Sequence, residues 1–205
     1  MSIILIRHGE TAMNAARIMQ MPDTPLSERG RQQARAVANR LANTSVAAIV
    51  SSDLPRAMET ASAIALSTGA AISQNELLQE RNFGDLRGHS YDGLGYNPII
   101  MEAAPPAGES MDEFRRRVAQ GFALVCDMHS TTAGDLVVVS HGLFIRILLE
   151  QHAVMPQGTS SLPTHVANTS VTIISADAPY QVSIVNNTDH LNAALHDDPR
   201  GVSGV

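Results

Sequence analysis

Three runs, Ile3-Ile4-Leu5-Ile6, Val46-Ala47-Ala48-Ile49-Val50 and Leu136-Val137-Val138-Val139, are continuously apolar and only four or five residues long. Such short unbroken runs suit strands buried on both faces, as in a parallel sheet covered by helices. The intervening segments carry the helical period. Ser27 can cap a helix in which Ala34, Val37, Ala38 and Leu41 share a face. Pro55 suits a helix's first turn, with Ala57, Ala61, Ile64 and Ala65 inward and Gly69 at the end. Ser110-Met111-Asp112-Glu113 forms a capping box ahead of Phe114, Val118, Phe122 and Val125, and another helix is expected from about 143 to 151. Two further strands are expected at 169–175 and 180–186, around a turn at Asp177-Ala178-Pro179.

This alternation predicts an α/β fold: a three-layer sandwich with a mainly parallel central sheet and helices on both faces. The 205 residues suit one domain, 1–205. Within it, 84–130 reads as an inserted, cap-like excursion whose first part is rich in Gly and Pro and whose second part is a helix. Residues 12–25 read as a loop over the site, and the polar stretch 192–205 as a loose tail.

The residues that follow the strands carry the chemistry. The first strand stops at Arg7-His8-Gly9-Glu10-Thr11, the second leads through Ser51-Ser52-Asp53-Leu54-Pro55 into Arg56, and the third ends at Ser140-His141-Gly142. In an open α/β sheet, ligands collect beyond the carboxyl ends of the strands. Arg7, His8, Arg56 and His141 would therefore converge on one crevice, with Gly9 letting the backbone turn sharply and approach a ligand. A cation at Arg56 opposes the dipole of its own helix, which suggests a bound anion. All 14 basic residues are Arg. The absence of Lys excludes Schiff-base chemistry and the Walker phosphate loop, and leaves anion recognition to guanidinium forks that match phosphate oxygens.

A phosphomonoester dianion repels nucleophiles until cations surround it. Arg7 and Arg56 could supply bidentate hydrogen bonds, and His141, if protonated, another cation. His8 would attack with a neutral nitrogen, a form favoured by the adjacent cations, and a phosphohistidine would divide the displacement into two steps. The leaving alkoxide needs a proton. Glu80 is the best-placed donor, with Glu76 and Asp85 as neighbouring carboxylates. Nothing in this chemistry requires a metal or a cofactor.

Other classes find little support. Aromatic residues make up 3% of the chain, Trp is absent and the net charge is −6, which disfavours nucleic-acid and anionic-membrane surfaces. No apolar run is long enough to span a membrane and no basic segment precedes a signal-like core, so cytoplasmic residence is expected. Cys126 lies in a helical pattern and reads as a buried structural thiol. His89, His129, His152, His165, His190 and His196 lack metal-ligand spacing, Arg115-Arg116-Arg117 reads as a solvated helix face, and the Met residues read as core filler.

Arg7-His8-Gly9-Glu10-Thr11 with Asn14 resembles the signature of the histidine phosphatase (phosphoglycerate mutase-like) superfamily. Further blocks follow in order: Ser51 to Ala57 with Thr60-Ala61, Leu78-Gln79-Glu80 with Gly84 and Gly88, Gly108-Glu109-Ser110, Val139 to Gly142, and a closing segment at Asn187 and His190-Leu191. The resemblance implies His8 as nucleophile, Glu80 as proton donor, His141 as second catalytic histidine, Arg7 and Arg56 as phosphate ligands, and Asn14 at a phosphate-side position. It also implies a small-molecule phosphomonoester as partner, and a homodimer is compatible with it.

Two enzyme readings share that pocket, a phosphatase and a phosphoglycerate-type mutase; a non-catalytic phosphate-binding module is a third reading. A mutase must also hold a carboxylate and exclude water. Between His89 and Ser110, where the family builds much of its substrate cover, this chain has Tyr91, Tyr96, Pro98, Ile99, Ile100 and Met101 but neither Lys nor Arg. It is also shorter than typical cofactor-dependent mutases. The phosphatase branch is therefore favoured.

Overall fold

A computed structural model describes residues 1–156 and 162–197. Its centre is a six-stranded mixed sheet in the order β3-β2-β4-β1-β5-β6. The strands are β1 (Ser2–Arg7), β2 (Val46–Ser51), β3 (Ala71–Gln74), β4 (Asp135–Ser140), β5 (Val171–Ser175) and β6 (Val182–Asn187). Pairing is parallel from β3 through β2 and β4 to β1, and antiparallel from β1 to β5 and from β5 to β6. The expected α/β sandwich is what the chain forms.

Alternation along the central strands feeds two cores. Ile3, Leu5, Leu136 and Val138 meet Phe114, Val118, Phe122 and Val125 of α4 (Met111–Ser130), with Phe144 and Leu148 of α5 (Gly142–His152). On the opposite face Ile4, Ile6, Val137 and Val139 meet Val37, Ala38 and Leu41 of α2 (Glu28–Leu41) and Ala57, Ala61 and Ile64 of α3 (Pro55–Thr68). Burying each large side chain contributes about 1.5–3 kcal/mol relative to exposure. A one-residue slip would exchange the two faces, so the register is tightly specified.

Three expectations need correction. Residues 12–25 are not wholly loop. They hold a short helix, α1 (Ala12–Ala15), started by a capping box in which Thr11 accepts the Asn14 N–H and the Asn14 side chain accepts from the Thr11 backbone. Four residues are too few to show a period. Second, the helical half of the 84–130 excursion is no part of a cap, because α4 buries its apolar face in the main core. The irregular part, 84–108, consists of turns and single 3₁₀ turns at Gly84–Leu86, Tyr91–Gly93 and Pro98–Ile100. Gly84 is required at its start: φ is +51°, and a Cβ would lie 2.0 Å from the Pro106 carbonyl oxygen.

Third, residues 192–197 are tied down rather than loose. Gln33 donates to the Leu195 carbonyl at 2.8 Å, Arg29 to the Ala194 carbonyl at 3.2 Å, and Asp197 accepts the Asn168 N–H at 2.8 Å. The rest of the expected tail, 198–205, lies outside the described residues. No helix among the described residues is long and apolar enough to cross a membrane.

Candidate active site

Strand register builds the centre of the site. Arg7 pairs with Ser140 and Ser51 with Val139, so the next residues on three adjacent parallel strands, His8, His141 and Ser52, are neighbours. The His8 N–H donates to the Ser140 carbonyl at 3.0 Å and the Ser52 N–H to the Val139 carbonyl at 2.9 Å, which carries the ladder one step beyond the strands. The two imidazoles meet edge to face, their ring centroids 5.1 Å apart.

Each ring is fixed by a hydrogen bond. His8 Nδ1 lies 2.7 Å from the Gly9 carbonyl oxygen. A carbonyl can only accept, so Nδ1 carries the proton and Nε2 of the neutral ring has the free lone pair. His141 Nε2 lies 2.9 Å from Ser52 Oγ, while its Nδ1 is buried without a hydrogen-bond partner among the described residues. The His8 backbone is held as firmly, its carbonyl accepting from Asn168 Nδ2 at 2.8 Å. A Cβ at Gly9 would lie 2.5 Å from the Gly30 carbonyl oxygen, so the bare Cα admits the start of α2.

Two buried guanidiniums flank the rings. Arg7 is 1% exposed and donates to the Val166 carbonyl; Arg56, 3% exposed, donates to the Met21 carbonyl at 3.3 Å. Burial chiefly, then the charges of Arg56 and Arg7, holds His8 well below the usual imidazole range. His141 is depressed in the same way, by burial first and Arg56 second. Both rings are therefore held toward the neutral form. Burial also lowers Arg56, to about 10.

Glu80 arrives from the opposite side. Its Oε2 accepts the Leu143 N–H at 3.0 Å, and its Oε1 accepts those of Phe144 and Arg81, each at 3.1 Å. The carboxyl thus caps α5, whose N-cap residue His141 makes no side-chain cap bond of its own. Burial raises its pKa above the ordinary carboxylate value, opposed by these N–H donors and by Arg56 and Arg7. Glu76 and Asp85, the alternative carboxylates, are exposed.

Arg117 corrects another expectation. Instead of lying on a solvated face, it donates to the carbonyls of Leu77 at 3.1 Å, Gln79 at 2.7 Å and Glu80 at 3.1 Å, and pairs with Glu109 at 2.8 Å. It clamps the segment that bears Glu80. Its neighbour Arg116 is exposed, as expected for that stretch.

His8, Arg56 and Glu80 line a crevice of about 550 Å³, part of it open to solvent, together with Gln20, Phe83, Arg87, Tyr91, Ile99 and Leu143. Arg7 and His141 stand behind this lining. Asn14 is buried in the turn of α1, its Oδ1 accepting the Thr11 N–H at 3.3 Å, and does not line the crevice. Gln20, Ser52, Arg81 and Arg87 have no role in the sequence reading, which places Tyr91 only in the expected substrate cover. The only signal for Arg87 was its place between Gly84 and Gly88.

The remaining histidines are dispersed. His152 stacks on Phe122 at 4.8 Å and His165 pairs with Asp197 at 3.1 Å. No group of three or more His, Cys, Asp or Glu among the described residues could hold a metal ion. The Cys126 thiol, half-buried beside the Tyr180 hydroxyl, is pushed up by burial and stays protonated.

Comparison with known proteins fits this geometry. Residues 3–188 match the family model of the histidine phosphatase superfamily (branch 1). Phosphoglycerate mutase-like protein 4 of Arabidopsis thaliana is 36% identical over 163 residues, covering 73% of this chain and 70% of that protein. Among solved structures, YhfR of Bacillus stearothermophilus superposes with a TM-score of 0.78 at 31% identity, covering 92% of this chain and 98% of that one. A mycobacterial glucosyl-3-phosphoglycerate phosphatase in complex with VO3 gives a TM-score of 0.76 at 27% identity, covering 91% and 99%. The crossed imidazoles at adjacent strand ends thus sit in a chain that belongs to the histidine phosphatase superfamily, branch 1.

Proposed function

We propose that this chain is a metal-independent phosphomonoesterase that acts on a small phosphorylated metabolite through a phosphohistidine at His8. The supporting observation is the state of that ring. Its Nδ1 proton is committed to the Gly9 carbonyl, and burial with two nearby guanidiniums keeps the ring neutral. The Nε2 lone pair is then available to a phosphorus atom whose nonbridging oxygens face Arg7 and Arg56.

In the first step the Nε2–P bond forms and the P–O bond to the alcohol breaks, and the departing oxygen takes a proton from Glu80. Oε2 suits this role, because it accepts one N–H where Oε1 accepts two. In the second step the ionised Glu80 draws a proton from water as that water attacks phosphorus, which returns His8 and releases phosphate. His141 takes up charge on the transferring group once the dianion has raised its depressed pKa.

The test is release of inorganic phosphate from simple phosphomonoesters in the presence of a chelator. His8→Ala should abolish it; unchanged turnover in that variant would end the proposal. An acid-labile phosphoenzyme trapped by rapid quench separates catalysis from mere phosphate binding. The name of the Arabidopsis relative keeps a mutase as the second reading. Interconversion of 2- and 3-phosphoglycerate stimulated by a bisphosphoglycerate would favour it, and its absence would remove it.

A further inference from the structure

Two residues hold the backbone that carries the nucleophile. Asn168 Nδ2 donates to the His8 carbonyl at 2.8 Å, and the Thr169 N–H donates to the Arg7 carbonyl at 3.0 Å. Both residues are buried. Thr169 makes its bond from a left-handed backbone with φ at +55°. That conformation is strained for a β-branched residue and persists only where the surroundings over-determine it.

Those surroundings come from the segment after β6. Thr169 Oγ1 lies 3.2 Å from His190 Nε2, and His190 Nδ1 lies 3.2 Å from Arg40 Nη1. A guanidinium can only donate, so Nδ1 accepts and the neutral ring presents its Nε2 proton to the Thr169 hydroxyl. Burial first, then the charge of Arg40, lowers that ring to about 4. Asp197 Oδ2 accepts the Asn168 N–H at 2.8 Å and lies 3.1 Å from His165 Nε2. The same segment reaches the other side of His8 through Gln33, which is fully buried. Gln33 Nε2 donates to the Leu195 carbonyl at 2.8 Å, and its Oε1 accepts the Glu10 N–H at 2.8 Å.

Within 188–197, Leu191 is the one buried apolar residue, and it stands outside both cores. None of these ten residues lines the crevice. Their polar contacts converge instead on residues 7, 8 and 10. Resting on the phosphomonoesterase reading, we propose that His190 and Asp197 are positioning residues for phosphoryl transfer. Through Thr169 and Asn168 they fix the backbone of Arg7 and His8, which sets the approach of His8 Nε2 to phosphorus without any contact with substrate. A displacement of about 1 Å at a reacting atom can cost about 10²-fold in rate.

Kinetics read beside phosphate binding test this. His190→Ala and Asp197→Ala should each lower kcat/KM by about 10- to 100-fold. The loss should be equal for alkyl and p-nitrophenyl phosphates, because the nucleophile is displaced and the proton donor is not. Binding of inorganic phosphate, read as competitive inhibition, should change by less than about threefold. His190→Gln can still donate to Thr169 and Asp197→Asn can still accept from Asn168, so both should restore most of the rate. Should His190→Ala fail to fold, Thr169→Val deletes the accepting hydroxyl alone and carries the same expectation. Solvent exchange of the His8 Nδ1 proton, followed by NMR, gives a reading independent of turnover and should be faster in the alanine variants. Unchanged kcat/KM in the folded alanine variants overturns the proposal. So does a loss that the conservative variants do not restore, or one matched by weaker phosphate binding. If the wild-type protein releases no phosphate while the exchange difference holds, the hydrolase reading falls and the strap on His8 stands. If release holds and exchange is unaltered in the variants, the strap alone falls.

Discussion

The inner end of the crevice and its outer wall are built by different means. At the inner end, His8, His141 and Ser52 follow three paired strands, and ladder hydrogen bonds fix their spacing. The outer wall, from Glu80 to Tyr91, has no strand or α-helix of its own. It is held from outside by Arg117, by the N–H groups of α5 and by pairing with residues 17–19. The inner end follows from the packing of the sheet. The outer wall depends on a few polar contacts, each of which one substitution can remove. Changes at the inner end should therefore abolish chemistry on every substrate, whereas changes in the wall should act selectively.

The largest expected effect is at the inner end. His8→Ala should lower phosphate release by roughly 10⁴-fold or more with any phosphomonoester. Arg56→Met should cost about 10²–10³-fold, as expected for the loss of one charge-stabilising group. A strong dependence of either loss on the leaving group would break the contrast.

Glu80→Gln sharpens it. In kcat/KM, which reports only through departure of the alcohol, the loss should be about 10²–10⁴-fold with an alkyl phosphate, and much smaller with p-nitrophenyl phosphate, whose leaving group needs no proton. The same comparison reads out pH. In the proposed first step protonated Glu80 is the donor, and burial raises its pKa, so kcat/KM for alkyl phosphates should fall as pH rises through that pKa. With p-nitrophenyl phosphate the alkaline fall should be lost. An identical alkaline limb for both substrates would assign it to another group.

Stability carries its own signature of the inner end. His8 and His141 have folded-state pKa values below the unfolded imidazole value, so the unfolded chain binds more protons at acidic pH. Their contribution is complete above about pH 6.5 and declines below it by about 1.4 kcal/mol per pH unit for each ring. Urea unfolding between neutral and mildly acidic pH should show the decline, and His141→Gln should make it shallower. An unchanged slope would mean that the ring titrates normally in the folded protein.

The wall gives the smallest effects. Arg117→Met should reduce turnover of alkyl phosphates by about tenfold and of p-nitrophenyl phosphate by less, since it acts through the placement of Glu80. A uniform loss would show general damage instead. Asp92→Asn, which removes the exposed ion pair to Arg17, should leave the urea midpoint unchanged.

How much of this was legible in the sequence follows the same division. Apolar runs and helical spacing reveal strands and helices, and the rule that chemistry collects at strand ends then brings His8, His141 and Arg56 together. Glu80 came from the block that resembles the family, with no geometric reason behind it. Arg117, Arg81 and Arg87 carry no such trace. Three consecutive arginines at 115–117 read as solvated because helical period alone does not reveal a loop of carbonyls waiting beside one of them. Arg87 leaves no further sequence signal because irregular backbone has no repeat from which a side chain's direction can be worked out. The need for glycine at position 9 also has a cause no local pattern reveals, a backbone 21 positions away at Gly30.

The hydrogen bonds from α5 to Glu80 have an evolutionary corollary. A carboxyl that finishes the first turn of a core-forming helix serves folding whether or not it ever donates a proton. A descendant that had lost its nucleophile would still be under selection to keep an acid, or at least an amide, at this position. Among relatives of this chain, an intact Glu80 would then speak for the helix, and an intact His8 for the proposed reaction.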